Sequence, residues 1–531
     1  MDRPLPRAVH ESHVQNPGPD PSQSPGGALM QFSFTSTDFY VLLPLLLPLC
    51  GAILVLCLDL LLKPGKGTRN LVHSISLLSL LAGIIAGGMQ YNFLQPSKAL
   101  PPKLELGPLV EPVFRFQPWT VLGTTLILVL TLISLVLSGA WWSEDSKEEN
   151  QTHGEYHVLT LFFPIGAGLL LAAKNLMLAF IGLEIFSIAL YVLVAFRRSR
   201  ARSVEAGLKY FLLGAFGAAF FVYGSALIYA GRGSLDMPGM GSILQQGLPQ
   251  PIEYAALGGA LLFIALFFKA SIAPFHMWTP DVYEGAPTPI TALMSTGTKA
   301  AAFFLLVSAS RLFPHELVPV FTLLAILSIL VGNAGALVQT NLKRLLAYSG
   351  IAHAGYLLVA YQAMAVGQGP TDAGVAMRAL LFYLAVYGVT NLAALGVLSW
   401  IERRDPAIVT LEGIRGLGRR NPIAAAILAI SAISLAGVPP TAGFWAKYQV
   451  FAASIQAGQA PLAIIAILGS VIGLYYYLKI LVALYFKEGG TEPVSGKGFA
   501  TGLTLSLCAA AILLVGLLPD LFLDVLVNVR L

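Results

Sequence analysis

Charge is what this sequence has least of. Of its 531 residues, 11% are Asp, Glu, Lys or Arg and 56% are hydrophobic. A soluble domain carries about 25% charged residues, so water is not the main solvent of this surface. The formal net charge of +5 is small and gives no grounds for a nucleic-acid partner. Cysteine is scarce as well. Cys50, Cys57 and Cys508 all lie within apolar runs; none forms a CxxC pair or sits beside a histidine cluster. Iron–sulfur, haem and structural zinc therefore lack ligands. The eight histidines show no HExxH or similar spacing. No GxGxxG opens a βαβ unit and no GxxxxGK(S/T) occurs, so no cofactor or metal site is expected in this chain. Any redox chemistry belongs to other subunits.

What the sequence has instead is apolar runs of eighteen or more residues, recurring along almost its whole length. Each is long enough to cross a bilayer, and one soluble core of this size would exceed what globular domains sustain. The expected fold is an all-α polytopic membrane protein of about fourteen transmembrane helices. They fall at 39–62, 70–90, 118–140, 156–173, 175–196, 204–230, 254–275, 287–311, 316–338, 343–363, 375–400, 422–452, 461–486 and 499–526.

Residues 1–35 differ from the rest. Arg3 to Gln31 is rich in Pro, Ser and Gly and lacks an apolar core, so it is expected to be disordered. No basic n-region directly precedes an apolar h-region, so it is not a signal peptide. Met30, just before the first span, is a candidate native start, which intact-mass measurement would test. Orientation follows from basic residues in the short loops. They are Lys63, Lys66 and Arg69; Arg197, Arg198, Arg200 and Arg202; Lys343 and Arg344; Arg403, Arg404, Arg415, Arg419 and Arg420; and Lys487 and Lys497. With fourteen spans, all five loops fall on one side. That side is expected to be cytoplasmic, with both termini outside.

Two spans are interrupted by proline. In IALFFKASIAPFH, Lys269 lies five residues before Pro274. In SLAGVPPTAGFWAKY, Lys447 lies seven residues after Pro440. Proline inside a span frees backbone carbonyls, which at that depth need a cavity or a protein partner. Ordinary kinks are one explanation. Paired broken helices, each near a lysine, also suggest the internal repeats of transporters. The expected organisation is a three-helix segment (39–140), two five-helix repeats of opposite polarity (156–311, spans four to eight; 316–486, spans nine to thirteen) and a last helix (499–526).

Five ionisable residues lie deep in spans: Glu184, Lys269, Lys299, His353 and Lys447. A charge at the bilayer centre costs about 2.5–3.5 kcal/mol on insertion scales. Facing lipid, the five together would cost well over ~10 kcal/mol, so they face the interior and become candidates for proton transfer. A lysine, with an ordinary pKa near ~10.4, exchanges protons near neutral pH only where burial favours its neutral form. A nearby carboxylate opposes that, so a Glu–Lys pair acts as a switch as its members separate and approach. Arginine does not deprotonate in proteins, and none occupies these positions. Glu205 and Lys209, at i and i+4, read either as a helix-stabilising pair or as part of a proton entry. Lys479 either snorkels to the interface or joins the path. His276 reads as a loop or cap residue, and His353 alone would read as a packing histidine.

The segment KASIAPFHMWTPDVYEGAPTPITALMSTGTKAA (269–301), together with QTNLKRLLAYSGIAHAGYLL, SLAGVPPTAGFWAKY and GLYYYLKI, resembles the antiporter-like membrane subunits of respiratory complex I, the proton-pumping NADH:quinone oxidoreductase. The likeness runs from about residue 40 to the end and is strongest to the bacterial subunit N type. It implies a bacterial inner-membrane protein that moves protons while NADH, FMN, iron–sulfur clusters and quinone are handled by other subunits. It also implies neighbouring homologous membrane-arm subunits. The family's fifth-span carboxylate matches Glu184, and its lysines on spans seven, eight and twelve match Lys269, Lys299 and Lys447. Lys447 argues against the M type, which carries Glu there. The short C-terminus departs from the L type with its lateral helix. The N-terminal tail has no counterpart in the family pattern. Subunits of multi-subunit sodium/proton antiporters and of membrane-bound hydrogenases share the module and are the alternatives. A purely structural anchor, or a stand-alone solute transporter, are further ones.

Overall fold

A computed structural model describes residues 34–94, 107, 110–142, 154–237, 252–310, 318–367, 370–402, 406–490 and 498–527, most of them in helices. Met30 and most of the expected tail, and the loop cations Arg403, Arg404 and Lys497, lie outside the described residues. Three helices come first: α1 (Ser36–Leu61), α2 (Lys66–Phe93) and α3 (Pro118–Trp142). Next come α4 (Gly154–Ala172), α5 (Leu176–Val194), α6 (Ala201–Arg232), α7 (Ile252–Ala270) and the short α8 (Thr279–Gly285). One continuous run then joins α9 (Thr288–Leu293), a π-helical turn (Met294–Thr298) and α10 (Lys299–Ala309). The second half holds α11 (Val318–Leu337), α12 (Leu342–Val366), α13 (Pro370–Ile401) and the single-turn α14 (Leu417–Arg420). It closes with α15 (Pro422–Ala436), α16 (Ala442–Gln456), α17 (Ala460–Tyr485), α18 (Phe499–Leu517) and the short α19 (Asp520–Val527).

Among the described residues, twelve helical runs are long and apolar enough to cross a membrane. Adding α12, whose hydropathy is diluted by residues such as Lys343, Arg344 and His353, and the broken pair α15–α16 gives the expected fourteen. The chain is a polytopic membrane protein. One expected boundary is corrected: the last span stops at Leu517, because Pro519 cannot continue a helix, and α19 is separate. The span at 422–452 is broken at its prolines as expected, into α15 and α16.

Helix starts follow the sequence. Thr35 and Asp38 form a capping box at α1, with Asp38 N donating to Thr35 Oγ1 (3.2 Å) and Thr35 N to Asp38 Oδ2 (2.8 Å). Asn175, Asn341 and Asn421 accept from the first backbone amides of α5, α12 and α15. The breaks are equally explicit. After Ala270 the chain turns through Ser271 at φ 61° and the cis Ala273–Pro274 bond before α8. After Ala436 it turns through Gly437 at φ 83° and the cis Pro439–Pro440 bond before α16. Groups freed by the first break find partners: Trp278 Nε1 donates to Phe268 O (3.0 Å), and Ala273 N donates to Ser328 Oγ on α11 (3.0 Å). One such break falls within spans four to eight and the other within nine to thirteen.

Burial sorts the helices. The most apolar stretch of the Thr288–Ala309 run is 100% buried and that of α13 89%, against 28% for α1 and α6. A central layer of α9–α10, α12 and α13 is therefore shielded by an outer ring presenting residues such as Leu208, Phe216, Leu468 and Leu507 outward. The ionisable candidates sit on or against that central layer.

Candidate functional site: a row of buried lysines

Lys269 is the second-last residue of α7, 2% exposed. Its ammonium donates to Ser187 Oγ (2.8 Å) and to Tyr191 OH (3.2 Å), both on α5. Rings surround it: Tyr191 at 5.1 Å, Tyr210 at 5.4 Å and Phe186 at 5.8 Å from Nζ. A desolvated cation over aromatic faces gains about 2 kcal/mol or more. Glu184 lies one turn before Ser187 and within electrostatic reach of Lys269. Its buried Oε1 accepts no hydrogen bond. The structure thus places Glu184 within electrostatic reach of Lys269, with hydroxyls rather than the carboxylate holding the ammonium.

Lys299 follows the π turn directly and is fully buried. Its Nζ has no hydrogen-bond partner among the described residues. The ring of Tyr283 lies 5.9 Å away. Gly350 on α12 faces it: a methyl group there would sit 3.3 Å from Nζ and 3.0 Å from Tyr387 OH.

His353 bridges the next step. Its Nδ1 is 2.7 Å from Tyr383 OH and its Nε2 3.1 Å from Tyr477 OH, which is 2.5 Å from Ser349 Oγ. Both Lys299 and Lys447 lie within its electrostatic reach. His353 and Lys447 open on one cavity of about 10 Å³, shared with Tyr383, Tyr387, Thr390 and Ser434, close to the room one water needs. Lys447 Nζ donates to Ala436 O (2.9 Å), a carbonyl freed by the α15–α16 break, and to Ser470 Oγ (2.8 Å). The need of a freed carbonyl for a partner is met by the lysine itself.

The weaker candidates resolve differently. Lys209 and Glu205 form the i,i+4 ion pair at 2.8 Å. Lys209 also contacts Asp281 of α8 (3.0 Å), which Arg344 of α12 binds at 2.7 Å. Arg344 reaches Glu284 as well (3.0 Å). The pair thus belongs to a half-exposed network tying α6, α8 and α12 together. Lys479 does not reach freely into the interface. It donates to Leu337 O at the end of α11 (2.7 Å) beneath the Tyr475 ring (4.9 Å), a cation at a helix C-terminus. His276 lies half-buried in the turn between α7 and α8.

Lys343 requires a correction. Counted above among the loop cations, it is 2% exposed and donates to Ala286 O (2.7 Å). It heads α12 directly after its Asn341 cap, and the close approach of α8 covers it. The hydroxyl partners Ser187, Tyr191, Tyr383, Tyr477 and Ser470 were also not singled out from the sequence. Spacing held a clue, since Ser187 and Tyr191 lie at i+3 and i+7 from Glu184 on one face of α5. Among the described residues, no group of three or more His, Cys, Asp or Glu is placed to hold a metal ion.

Fold and site together define a helical membrane protein with two broken helices and a buried row of ionisable side chains. Residues 173–473 match the NADH:quinone oxidoreductase/Mrp antiporter transmembrane family, and the chain belongs to it. NADH-quinone oxidoreductase subunit N 2 of Koribacter versatilis is 40% identical over 499 residues, 93% of this chain and 97% of the relative. A chain of respiratory complex I from Thermus thermophilus matches with a TM-score of 0.73 and 33% identity, over 91% of this chain and 99% of that one. A chain of the Mrp complex from Dietzia sp. DQ12-45-1b gives a TM-score of 0.78 at 20% identity, over 93% and 97%, a likeness of fold alone. The resemblance to the antiporter-like complex I subunits holds, and within them to subunit N.

Proposed function

We propose that this chain is a proton-translocating membrane-arm subunit of a complex I-type NADH:quinone oxidoreductase in a bacterial inner membrane. It holds no redox group itself; NADH, FMN, iron–sulfur clusters and quinone are handled by other subunits, and homologous antiporter-like subunits flank it. The observation that carries the reading is the placement of Lys269. Its ammonium is bound by the Ser187 and Tyr191 hydroxyls, with the Glu184 carboxylate in reach and one of its oxygens unoccupied. That gives the lysine two alternative settings. Approach of Glu184 holds the proton on, and separation, with burial, lets it go.

Protons then pass from the Glu184–Lys269 pair to Lys299, on through His353 and its tyrosines to Lys447, and out to the external face. Among the described residues, Lys447 has a carbonyl and a hydroxyl as its hydrogen-bond partners, neither of which pins its charge permanently. Quinone reduction elsewhere in the complex drives the separation of the first pair.

Proton pumping and donor:quinone activity in membranes carrying Lys269→Ala test this, once assembly of the complex is confirmed. Pumping is expected to fall by roughly 10²-fold or more, the usual weight of a positioned proton-transfer group. Unchanged pumping and turnover would remove Lys269 from the path and leave a structural anchor. A sodium-dependent signal in the parent, with no quinone-linked activity, would assign the chain to a sodium/proton antiporter instead.

A further inference from the structure

A second set of buried charges lies apart from the row just described. Lys343 heads α12, and Glu402 follows the end of α13, 8% exposed. Lys343 Nζ donates to Ala286 O, at the end of α8. Glu402 Oε2 accepts from Thr288 Oγ1, at the start of α9. The two ionisable groups are within electrostatic reach of each other, with Glu284, Arg197 and Arg200 as the further charges around Lys343. Taking two such groups out of water costs several kcal/mol each, which a mere helix cap does not require.

From this cluster a polar seam runs inward between α9 with its π turn and the antiparallel α13. Thr288 pairs with Glu402 at one end. Further in, Asn391 Nδ2 donates to Ser295 Oγ (2.8 Å) and to Tyr387 OH (3.2 Å). The register set by these two pairs puts Thr291 opposite Ser399 and Lys299 opposite Tyr387. Ser399 Oγ and Asn391 Oδ1 are buried without a hydrogen-bond partner among the described residues. Buried polar atoms are otherwise nearly always paired, by protein or by ordered water. The seam ends where Tyr387 OH and Lys299 Nζ converge on Gly350.

We propose that this seam is a separate proton-uptake route to Lys299, with Glu402 as its outermost proton acceptor and Lys343 as the cation beside it. It rests on the proton-translocation reading above. The proton adds to a Glu402 carboxylate oxygen, giving the neutral acid, and hops along Ser399, Asn391 and Tyr387 with water between them. It ends on the neutral amine of Lys299. Glu402 is then a carboxylate again and Lys299 an ammonium, so charge balances without any other reactant. Lys299 is thereby loaded without passage through Glu184 and Lys269.

The test measures proton pumping by the assembled complex in proteoliposomes for E402Q, E402D, S399A and S399L, with Lys269→Ala alongside. Gln still accepts from Thr288 but carries no proton. Asp carries a proton on a shorter arm. Pumping is expected to fall about tenfold or more in E402Q, to be better retained in E402D, to change little in S399A and to fall in S399L, where a bulky side chain plugs the seam. The reverse order, E402Q intact and E402D impaired, is the signature of a hydrogen-bonding strut and overturns the proposal. If E402Q does not assemble, S399L decides, and full pumping there overturns the proposal too. Loss of pumping in Lys269→Ala with E402Q and S399L unaffected sinks the uptake route alone. Full pumping in Lys269→Ala sinks the translocation reading on which it rests.

Discussion

At the scale of single residues, the hydroxyls beside the lysines set how freely the charges move. Ser187 and Tyr191 hold Lys269 away from Glu184, and a hydrogen bond to a charged group contributes about 1.5–3 kcal/mol. The double variant S187A/Y191F is therefore expected to slow coupled turnover by about tenfold or more, because the ammonium is left to the carboxylate. Adding it to Lys269→Ala should cost little further, since both act through one group. Wild-type turnover in S187A/Y191F would show that the hydroxyls merely pack. The lysines themselves were legible in the sequence, because an ionisable residue inside an apolar run stands out against its neighbours. Their partners were not. Ser and Tyr are unremarkable in membrane helices, and only the packing of α5 on α7 selects Ser187 and Tyr191 from many. Lys343 failed for the opposite reason: beside Arg344 at the start of a span it looks like a loop cation, and its burial depends on α8, more than fifty residues earlier in the chain.

At the scale of elements, helix packing explains how so polar an interior stays closed. Gly224 of α6 and Gly258 of α7 face each other so closely that a methyl on either would fall within 2.6 Å of the other's carbonyl oxygen. Close approach through small residues is how membrane helices gain contact where no hydrophobic drive separates them from lipid. Gly258→Val is thus expected to force α6 and α7 apart, destabilising the fold by about 1–3 kcal/mol, and to lower the thermal unfolding midpoint. An unaltered midpoint would show that this crossing is not tight in the membrane. Most span positions followed from hydropathy alone. The helix breaks followed from proline, including the split of the twelfth span, while the separate α19 was resolved only by backbone geometry. Element ends depend on a single capping residue or a positive φ, such as Gly437 and Ser271, which an apolar run does not mark.

At the scale of the whole molecule, the alternation of spans makes one prediction about sidedness. Lys487, exposed just beyond α17, belongs to a loop expected to face the cytoplasm, in common with the α1–α2, α5–α6 and α11–α12 loops on the basic side. With Cys50, Cys57 and Cys508 replaced by alanine, Lys487→Cys is expected to react with a membrane-impermeant maleimide in inverted vesicles and not in intact cells. Labelling of intact cells would invert the orientation, and with it the direction assigned to the lysine row. The span count came from the sequence because each span is a local property. The central layer of α9–α10, α12 and α13 did not, since burial within a bundle depends on which apolar helix meets protein and which meets lipid, and all of them read alike.

The π turn at Met294–Thr298 bears on that central layer in one more way. A π turn takes up more residues than an α turn, so it shifts the phase of everything beyond it relative to everything before. Before it lies Thr288 and within it Ser295, which bond Glu402 and Asn391 on the α13 side; immediately after it lies Lys299. Because each residue of a regular helix turns the chain by about 100°, winding these same residues as a uniform α-helix would rotate Lys299 off the direction of Gly350 and Tyr387, whereas deleting one residue from the turn would keep its bearing. The wide turn thus works as a phase shifter: it lets one helix line a hydroxyl seam along one bearing and deliver its ammonium on another.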